Sequence, residues 1–389
     1  MSDKPTPLKG GSIASAIEKV CQEFSSLNQH GWIFSPAQSS HFAAERSKSN
    51  SASDDDDNTL LHGIVANHAS SNGDNTYLAT FFLAYSTWDG RCLTRDFTSG
   101  PTDPTDTPLD WFPILAKVAV TLECQRLVWY HHGPKGDDAS PTRSPERLPG
   151  WLTLHWSVPA MQAFTGTSTS NLSQSATGNN ANTIGQRIEQ QLQEISRVDA
   201  NESKFSVRLA SAKDVQDIVR LVHGLAIFEK EPESVHVGAE HFIADGGQKD
   251  DEADDSLPLY YCLLIDAPLV STDGEGDQKA SNTETTGLHT CGMAFCYVGH
   301  NLKGGRFWYL EDLFIEEAYR GQGVGTIVMK TLARLALSLD CQRVKWQALD
   351  WNTPAITFYN KIGARVQDGL ETSRFVGEGL RLTSSSSPS

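Results

Sequence analysis

An internal repeat constrains the fold of this chain more than any other feature of its sequence. The segment LAKVAVTLECQRLVW (115–129) aligns without gaps on LARLALSLDCQRVKW (332–346), and eight of the fifteen positions are identical. A second match follows in the same order, WSVPAMQAFTG (156–166) against WNTPAITFYNK (351–361). Repeats that recur in one order indicate duplicated structural units. The chain is therefore predicted to contain two copies of one fold.

A polar segment separates the two copies. Residues 165–183 are rich in Ser, Thr, Asn and Gly, and such a segment cannot bury enough apolar surface to offset its ordering entropy. Apolar residues at helical spacing follow from Ile184 to Ile195. A chain of 389 residues has room for two domains of about 150 residues each. The predicted parts are a first domain over 1–166, a disordered linker with a linker helix over 167–203, a second domain over 204–383, and a flexible tail over 384–389.

The charge balance limits the partners of the chain. It carries 32 basic and 48 acidic side chains, which gives a formal net charge of −16. This balance argues against binding to nucleic acid or to an anionic membrane surface. It is compatible with a small cationic substrate, and also with acidity that serves only solubility.

The cysteine and hydropathy patterns are typical of an intracellular protein. The seven cysteines form no C-x-x-C pair and no zinc-ligand spacing, so we expect reduced thiols and no metal. No run approaches 18 apolar residues, and the N-terminus leads into an amphipathic stretch. We therefore expect neither a membrane span nor a secretory signal, and a cytoplasmic location.

Strands and helices alternate through the second copy. Their order, β-α-β-β-β-α-β-α-β, predicts an α/β (α+β) fold with a mixed sheet and helices on both faces. Ser211 is expected to start the first helix, with Asp214 as an acidic partner for its free N–H groups. The predicted strands are 205–210, 257–265, 292–298, 306–315, 343–350 and one near 374–382. The predicted later helices are about 324–339 and 353–362.

A glycine-rich turn, RGQGVG (320–325), lies between the strand that ends at Ile315 and the next helix. Glycines allow close approach of a ligand, and a helix N-terminus presents unpaired N–H groups to an anion. The pattern therefore favours a phosphate-bearing cofactor, although a plain tight turn has the same composition. It is not a P-loop, because no Lys-Ser or Lys-Thr follows the glycines.

The text around this turn resembles one enzyme family. R-x-x-G-x-G after an apolar strand is similar to the pyrophosphate turn of the GNAT N-acetyltransferases. The segments YLEDLFIEEAYRGQGVG and ALDWNTPAITFYNKIGA resemble the spermidine/spermine (diamine) and thialysine subfamily, over about 204–382. The resemblance implies tandem GNAT folds and acetyl-CoA as co-substrate.

Residues that match the family pattern are expected to bind the cofactor. The backbone of the strand end would pair with the pantetheine, and the N–H groups of 321–326 would hold the pyrophosphate. Asn352 would hydrogen-bond the cofactor, although it also fits a helix cap before Pro354. The expected cofactor-binding residues are Leu313, Phe314, Ile315, Arg320, Gly321, Gln322, Gly323, Val324, Gly325, Thr326 and Asn352.

Three polar side chains match the family's catalytic centre. The tyrosine at the position of Tyr359 protonates the leaving thiolate of CoA, and a phenol has a suitable pKa for that task. The acid at the position of Glu311 helps to deprotonate the substrate ammonium, because a protonated amine cannot attack. Asp312 would line the amine channel. Alternatively, Tyr359 is a packed core aromatic, and the acid pair faces solvent on an edge strand.

Substrate contacts are expected at Phe228, Glu229 and Glu371, by the same resemblance. The second copy departs from the subfamily at its hairpin, where Asn301 and Lys303 replace an acid and a tryptophan. Ser373 also replaces a tryptophan expected near Glu371. A lysine in the amine channel would repel a polyamine, so these departures bear on the identity of the acceptor.

The first copy lacks the chemistry. Ser157 stands at the position of Asn352, Phe164 stands at that of Tyr359, and the glycine turn is absent. We expect the first copy to be a degenerate, non-catalytic domain that retains Trp88. It would pack on the second copy as an intramolecular pseudo-dimer, and two chains could also form a homodimer.

The sequence therefore favours an N-acetyltransferase that transfers acetyl directly, in a ternary complex, to a diamine, a polyamine or a lysine- or ornithine-like amino acid. The alternatives are a protein N-terminal or lysine acetyltransferase, and a non-catalytic acyl-CoA-binding scaffold module.

Overall fold

The computed structural model of the chain describes ten segments. They are 5–27, 32–47, 60–68, 76–98, 109–132, 145–166, 184–199, 203–246, 258–268 and 288–386. The expected disordered stretch at 167–183 and the last residues of the tail, 387–389, lie outside them.

The first half of the chain contributes four helices and seven strands to these segments. In chain order they are α1 (Gly10–Leu27), β1 (Trp32–Pro36), α2 (Ser39–Ser47), β2 (His62–His68), β3 (Thr76–Ser86), β4 (Gly90–Thr98), α3 (Phe112–Thr121), β5 (Arg126–His132), β6 (Glu146–Arg147), β7 (Trp151–Ser157) and α4 (Val158–Thr165).

The second half repeats this alternation within its described residues. Its elements are α5 (Ile184–Asp199), β8 (Ser206–Leu209), α6 (Val215–Glu229), α7 (Ala239–Asp245), β9 (Tyr261–Pro268), β10 (Leu288–Asn301), β11 (Gly305–Ile315), α8 (Val324–Ser338), β12 (Arg343–Leu349), α9 (Thr353–Lys361), β13 (Arg365–Val366), β14 (Leu370–Val376) and α10 (Gly377–Ser384).

Two seven-stranded mixed sheets form the framework, which confirms the α/β fold class. Their strand orders are β1-β2-β3-β4-β5-β14-β6 and β13-β7-β12-β11-β10-β9-β8. Each sheet takes a strand from the other half of the chain. β14 pairs antiparallel with β5, and β7 pairs antiparallel with β12 along its whole length. The expected boundaries at 166 and 204 therefore divide the chain but not the sheets.

Apolar packing also crosses between the halves. The ring of Phe82 in β3 lies 5.4 Å from that of Phe307 in β11, edge to face. Tyr85 stacks on Phe295 of β10 at 5.8 Å. Because these rings are buried, separating the halves would expose large aromatic surfaces to water.

Most predicted elements of the second copy are present, and one is wrong in part. Ser211 and Asp214 form the expected N-terminal cap, in which the backbone N–H of Ser211 donates to Asp214 Oδ2 at 2.7 Å. The closing strand expected near 374–382 ends at Val376, and residues 377–384 form α10 instead. Leu380 of this helix is buried against the first half, so tertiary packing overrides the apolar alternation there.

No helix in the described segments combines the length and the apolar character that crossing a bilayer requires. Helix α5 begins at Ile184, as expected, and its buried residues Ile188 and Leu192 join the core of the second sheet.

Strand exchange predicts that the halves stay together after the chain is cut. Cleavage at a protease site placed within 167–183 would cut the chain between β7 and the other strands of its sheet. The backbone pairing of β7 with β12 would remain intact. After cleavage, both fragments should co-elute in size-exclusion chromatography at the position of the uncut 42.6 kDa chain, and part only in denaturant. Elution as two separate folded species would contradict the exchange.

Candidate active site

A β-bulge sets the position of the acidic pair. Phe295 of β10 pairs with Asp312, and the next residue, Cys296, pairs with Leu310, so Glu311 is the extra residue on β11. A bulge bends the strand and re-aims its side chains. Here Glu311 and Asp312 both line the same cleft, which explains why two adjacent acids occur within an apolar strand.

This cleft has a volume of about 1140 Å³ and lies between the two halves of the chain. Its walls carry eight carboxylates and three guanidinium groups. The acids are Asp89, Glu123, Glu146, Glu229, Glu231, Asp245, Glu311 and Asp312, and the arginines are Arg91, Arg126 and Arg374. The excess of acid makes the cleft complementary to a cation.

A second cavity of about 170 Å³ adjoins the cleft at the acidic pair. Glu229, Glu311 and Asp312 line both cavities, as do Trp151, Gln347 and Leu349. The small cavity brings together many of the residues singled out in the sequence. They are Phe228, Glu229, Glu311, Asp312, Leu313, Phe314, Ile315, Arg320, Asn352 and Tyr359.

The small cavity opens where two parallel strands separate. β11 pairs with β12 at Trp308, Tyr309 and Leu310, and the pairing ends there. The backbone of residues 313–315 therefore faces the gap between the strands, where an extended ligand can pair with it. One backbone carbonyl of this segment already has a partner, since Arg320 Nε donates to Ile315 O at 2.7 Å.

The glycine turn has the geometry of an anion site. Gly321 (φ +73°) and Gly323 (φ +84°) adopt left-handed conformations, and an added Cβ would meet no atom within 4 Å at either. The turn leads directly into α8 at Val324, whose first N–H groups lack helical acceptors. Thr326 N–H already donates to Gly323 O at 3.0 Å, so the N–H groups of 321–325 are the better donors. Turn and gap together fit the pyrophosphate and pantetheine of acetyl-CoA.

Tyr359 lies on α9 at the inner end of the small cavity. It is 8% exposed, and its ring meets that of Trp346 edge to face at 4.9 Å. Burial raises the pKa of Tyr359 to about 12. The phenol is therefore neutral near pH 7 and can act as a proton donor.

Asn352 has both of the roles that its position allowed. Its Oδ1 accepts from the backbone N–H of Ala355 at 3.4 Å and so caps α9. The same residue lines the small cavity beside Ala355 and Tyr359. The cap fixes the start of the helix that carries Tyr359.

The three acids at the junction hold protons more tightly than usual. Burial and the neighbouring charge of Asp312 raise the pKa of Glu229 to about 8. Burial and the same neighbour raise the pKa of Glu311, and the charge of Arg126 opposes this shift. Burial also raises the pKa of Asp312, against the hydrogen bond that it accepts from Thr87. Raised carboxyl pKa values in a cleft are typical of sites that move protons or bind cations.

The first half supplies part of this site, which the sequence analysis did not foresee. Thr87 donates from Oγ1 to Asp312 Oδ2, and Trp88 and Asp89 of the same hairpin line the cleft. Arg126 of β5 also lines it. The available signal was Trp88, because the first copy retains the hairpin tryptophan that the second copy has lost.

The hairpin of the second copy lies elsewhere. Asn301 donates to Asp96 of the first half, and Lys303 lies over the ring of Phe97 at 4.5 Å. Neither residue lines the two cavities. The expected repulsion between Lys303 and a substrate cation is therefore wrong, because the hairpin of the second copy contacts Asp96 of the first sheet instead of the cleft.

Glu371 is placed away from both cavities. It lies on β14 opposite His131 of the first sheet, and its Oε2 is 3.8 Å from Arg147 Nη1. Two later residues of the same strand, Arg374 and Val376, line the cleft instead.

Comparisons with known proteins show the family to which this chain is similar. Residues 284–364 match the model of the Acetyltransferase (GNAT) family. The chain is 32% identical over 178 residues to a thialysine N-epsilon-acetyltransferase of Bos taurus, covering 45% of this chain and 94% of the relative. It is 26% identical over 199 residues to an L-ornithine N5-acetyltransferase of Arabidopsis thaliana, covering 45% and 86%. A solved tandem GNAT protein from the clavulanic acid biosynthesis pathway aligns over 95% of this chain and 97% of its own, with 9% identity and a TM-score of 0.36.

The turn predicts a specific loss on substitution. Gly323→Glu places a negative side chain in the open space in front of the α8 N-terminus, where it would repel a pyrophosphate. We expect calorimetry to detect no acetyl-CoA binding to this variant.

The control separates charge from backbone strain. Gly369 also has a left-handed backbone (φ +71°) with open space at its Cβ, and it lies outside both cavities. Gly369→Glu should bind acetyl-CoA like the wild type. Wild-type affinity in a folded Gly323→Glu variant would refute the anion site.

Proposed function

The chain belongs to the GNAT family of acetyltransferases, and from that premise we propose that it transfers acetyl from acetyl-CoA to a primary amine of a small cationic acceptor. The observation that carries the proposal is the junction of the two cavities. The acidic cleft and the gap between β11 and β12 meet at Glu229, Glu311 and Asp312, with Tyr359 on the side of the gap. An amine entering from one side and a thioester entering from the other would meet there.

The charges of the cleft support a cationic acceptor. Half of its eight acids are paired with arginines. Arg91 pairs with Asp245 and Glu123, Arg374 pairs with Glu146, and Arg126 pairs with Asp89. Among the described residues, Glu229, Glu231, Glu311 and Asp312 form no salt bridge. An ammonium group would supply the missing positive charge, and would lower the raised pKa values of these carboxyl groups when it binds.

Transfer requires the acceptor to lose a proton before it attacks. Ionised Glu311, helped by Asp312, would take that proton from the ammonium nitrogen, directly or through one water. Bound acetyl-CoA supplies the acyl thioester. As the new N–C bond forms and the C–S bond breaks, the neutral Tyr359 hydroxyl would give its proton to the sulfur, so that CoA leaves as a thiol. The nitrogen would then lose its second proton to the Tyr359 phenolate, which yields the neutral amide and restores the phenol.

The residues around the junction would also position the acyl donor. The N–H groups of 321–325 would hold the pyrophosphate, and the backbone of 313–315 would pair with the pantetheine. Trp151 of β7, Gln347 and Leu349 would close the wall opposite β11. Proximity of the two reactants in this enclosed space would supply much of the rate enhancement.

The proposal predicts turnover and a defined loss of it. Wild-type protein should release CoA from acetyl-CoA in the presence of a suitable diamine or basic amino acid. Tyr359→Phe removes only the hydroxyl from a packed ring, so we expect kcat to fall by about 10²–10⁴-fold with little change in acetyl-CoA affinity.

A matched control is Tyr319→Phe. Tyr319 is buried in the same half but lines neither cavity, so its variant should keep wild-type kcat. A Tyr359→Phe variant with kcat within about twofold of wild type would remove Tyr359 from the chemistry. Absence of CoA release with every amine tested would refute acetyl transfer.

A further inference from the structure

Three arginines line the acidic cleft, and two of them bond their Nε to a carboxylate of the cleft wall. Arg91 donates to Asp245 Oδ1 at 2.9 and 2.7 Å and to Glu123 Oε2 at 3.1 Å. Arg374 binds both oxygens of Glu146, at 2.9 and 3.2 Å. These contacts hold both guanidinium groups against the carboxylates of the cleft walls.

Arg126 differs from them. Its Nη2 pairs with Asp89 Oδ2, but its Nε is buried and has no hydrogen-bond partner among the described residues. The side chain of Arg126 is 14% exposed and that of Asp89 is 19% exposed, so both are mostly buried where they line the cleft. A buried donor without an acceptor is costly, and natural structures keep few of them. An acceptor supplied by a ligand would satisfy this group.

Asp89 is held beside Arg126 by the other half of the chain. Its second oxygen, Oδ1, lies 2.7 Å from His236 Nδ1, and the backbone N–H of His236 donates to Trp88 O at 2.7 Å. The cleft wall therefore presents a fixed cation and a fixed anion side by side. That arrangement is complementary to a zwitterion, whose carboxylate and ammonium are also adjacent.

The equivalent position in the other sheet shows that this pair is not needed to hold the hairpin. Arg343 is the residue of the repeat that corresponds to Arg126, and Gly304 corresponds to Asp89. Arg343 Nη2 donates to the backbone O of Gly304, so an arginine and a carbonyl suffice to connect strand and hairpin. Arg126, which lines the open cleft, therefore has an acid beside it, whereas Arg343, which lies outside the cleft, has a glycine at the same position.

We propose that Arg126 and Asp89 bind the α-carboxylate and α-ammonium of a basic amino acid, so that the acetylated group is the amine at the end of its side chain. This inference rests on the proposed acetyl transfer and names its acceptor class. The side-chain ammonium then extends to Glu311 and Asp312, which line the same cleft. A diamine or polyamine, which lacks the carboxylate, places a cation near Arg126 and leaves Nε without an acceptor.

Pairs of amines that differ only by a carboxylate test this assignment. Lysine is compared with 1,5-diaminopentane, and ornithine with 1,4-diaminobutane, by CoA release from acetyl-CoA. In the wild type, kcat/KM should be higher for the amino acid of at least one pair than for its diamine. Arg126→Gln should lower the ratio of kcat/KM for that amino acid to kcat/KM for its diamine by about 10- to 100-fold.

The ratio within a pair isolates recognition from other effects of the substitution. Loss of Arg126 also removes a charge that acts on Glu311, but that change affects both members of a pair alike. Arg343→Gln, at the equivalent position outside the cavities, should leave the ratio unchanged. Arg126→Lys is a second variant, which keeps the positive charge but removes the Nε donor, and it should lower the same ratio even if Arg126→Gln folds poorly. Asp89→Asn should lower kcat/KM for both members of a pair, because both carry the ammonium that Asp89 is proposed to bind.

Two outcomes would overturn the inference in different ways. A wild-type preference for the diamine in both pairs, or an equal loss for both members of a pair in Arg126→Gln and Arg126→Lys, would exclude zwitterion recognition and leave acetyl transfer standing. Absence of CoA release with all four amines would refute the proposed function, and this inference with it.

Discussion

Each sheet contains one strand from the other half of the chain, and this exchange is the constraint on which the rest of the structure depends. β7 pairs with β12 through seven consecutive residues, and β14 pairs with β5 through seven. The first exchange places Trp151 at the junction of the two cavities, and the second brings Arg374 to the cleft wall. Since backbone hydrogen bonds along whole strands hold these residues, the site cannot form from the second half alone. The first half of the chain is therefore necessary as a wall of the cleft.

The two sheets have the same framework but differ at one position, where the first copy is filled and the second is open to the cleft. Both carry a bulge at corresponding strands, with Glu311 as the extra residue in β11 and Asp96 in β4. Around Glu311 and Asp312 the cleft is open, and Thr87 from the facing hairpin contacts the acid. Around Asp96 the space is filled by the protein itself, since Leu302 N–H donates to it at 2.7 Å.

A lysine completes the closed side. Lys345 Nζ donates to Asn301 Oδ1 at 2.8 Å and lies over the ring of Phe307 at 4.0 Å. Burial raises the pKa of Asp96, although the charge of Lys345 opposes that shift, and burial lowers the pKa of Lys345 to about 7. An internal amine thus lies near the acid of the closed side, as the substrate amine is proposed to do near the acids of the open side.

Local sequence determined much of the fold and of the site. The capping pair Ser211 and Asp214, the glycine turn before α8 and the Pro354 start of α9 act through nearby backbone, so their patterns predict structure directly. Strand exchange depends on pairing between residues far apart in sequence, and no local pattern specifies it. For that reason the roles of Thr87 and Arg126 were missed, Lys303 was assigned to the wrong cleft, and Glu371 was expected at a site that later residues of its strand line instead.

The most direct test of a site shared by both halves compares two isosteric variants of the first half. Thr87→Val removes the hydroxyl that donates to Asp312, and Thr80→Val removes the one that donates to Asp96 at 3.1 Å on the closed side. A carboxyl group that loses such a donor holds its proton to higher pH, so the acidic limb of kcat/KM against pH should move upward by about half a unit or more in Thr87→Val. The profile of Thr80→Val should match that of the wild type. Coincident profiles for all three proteins would contradict a catalytic contribution from the first half.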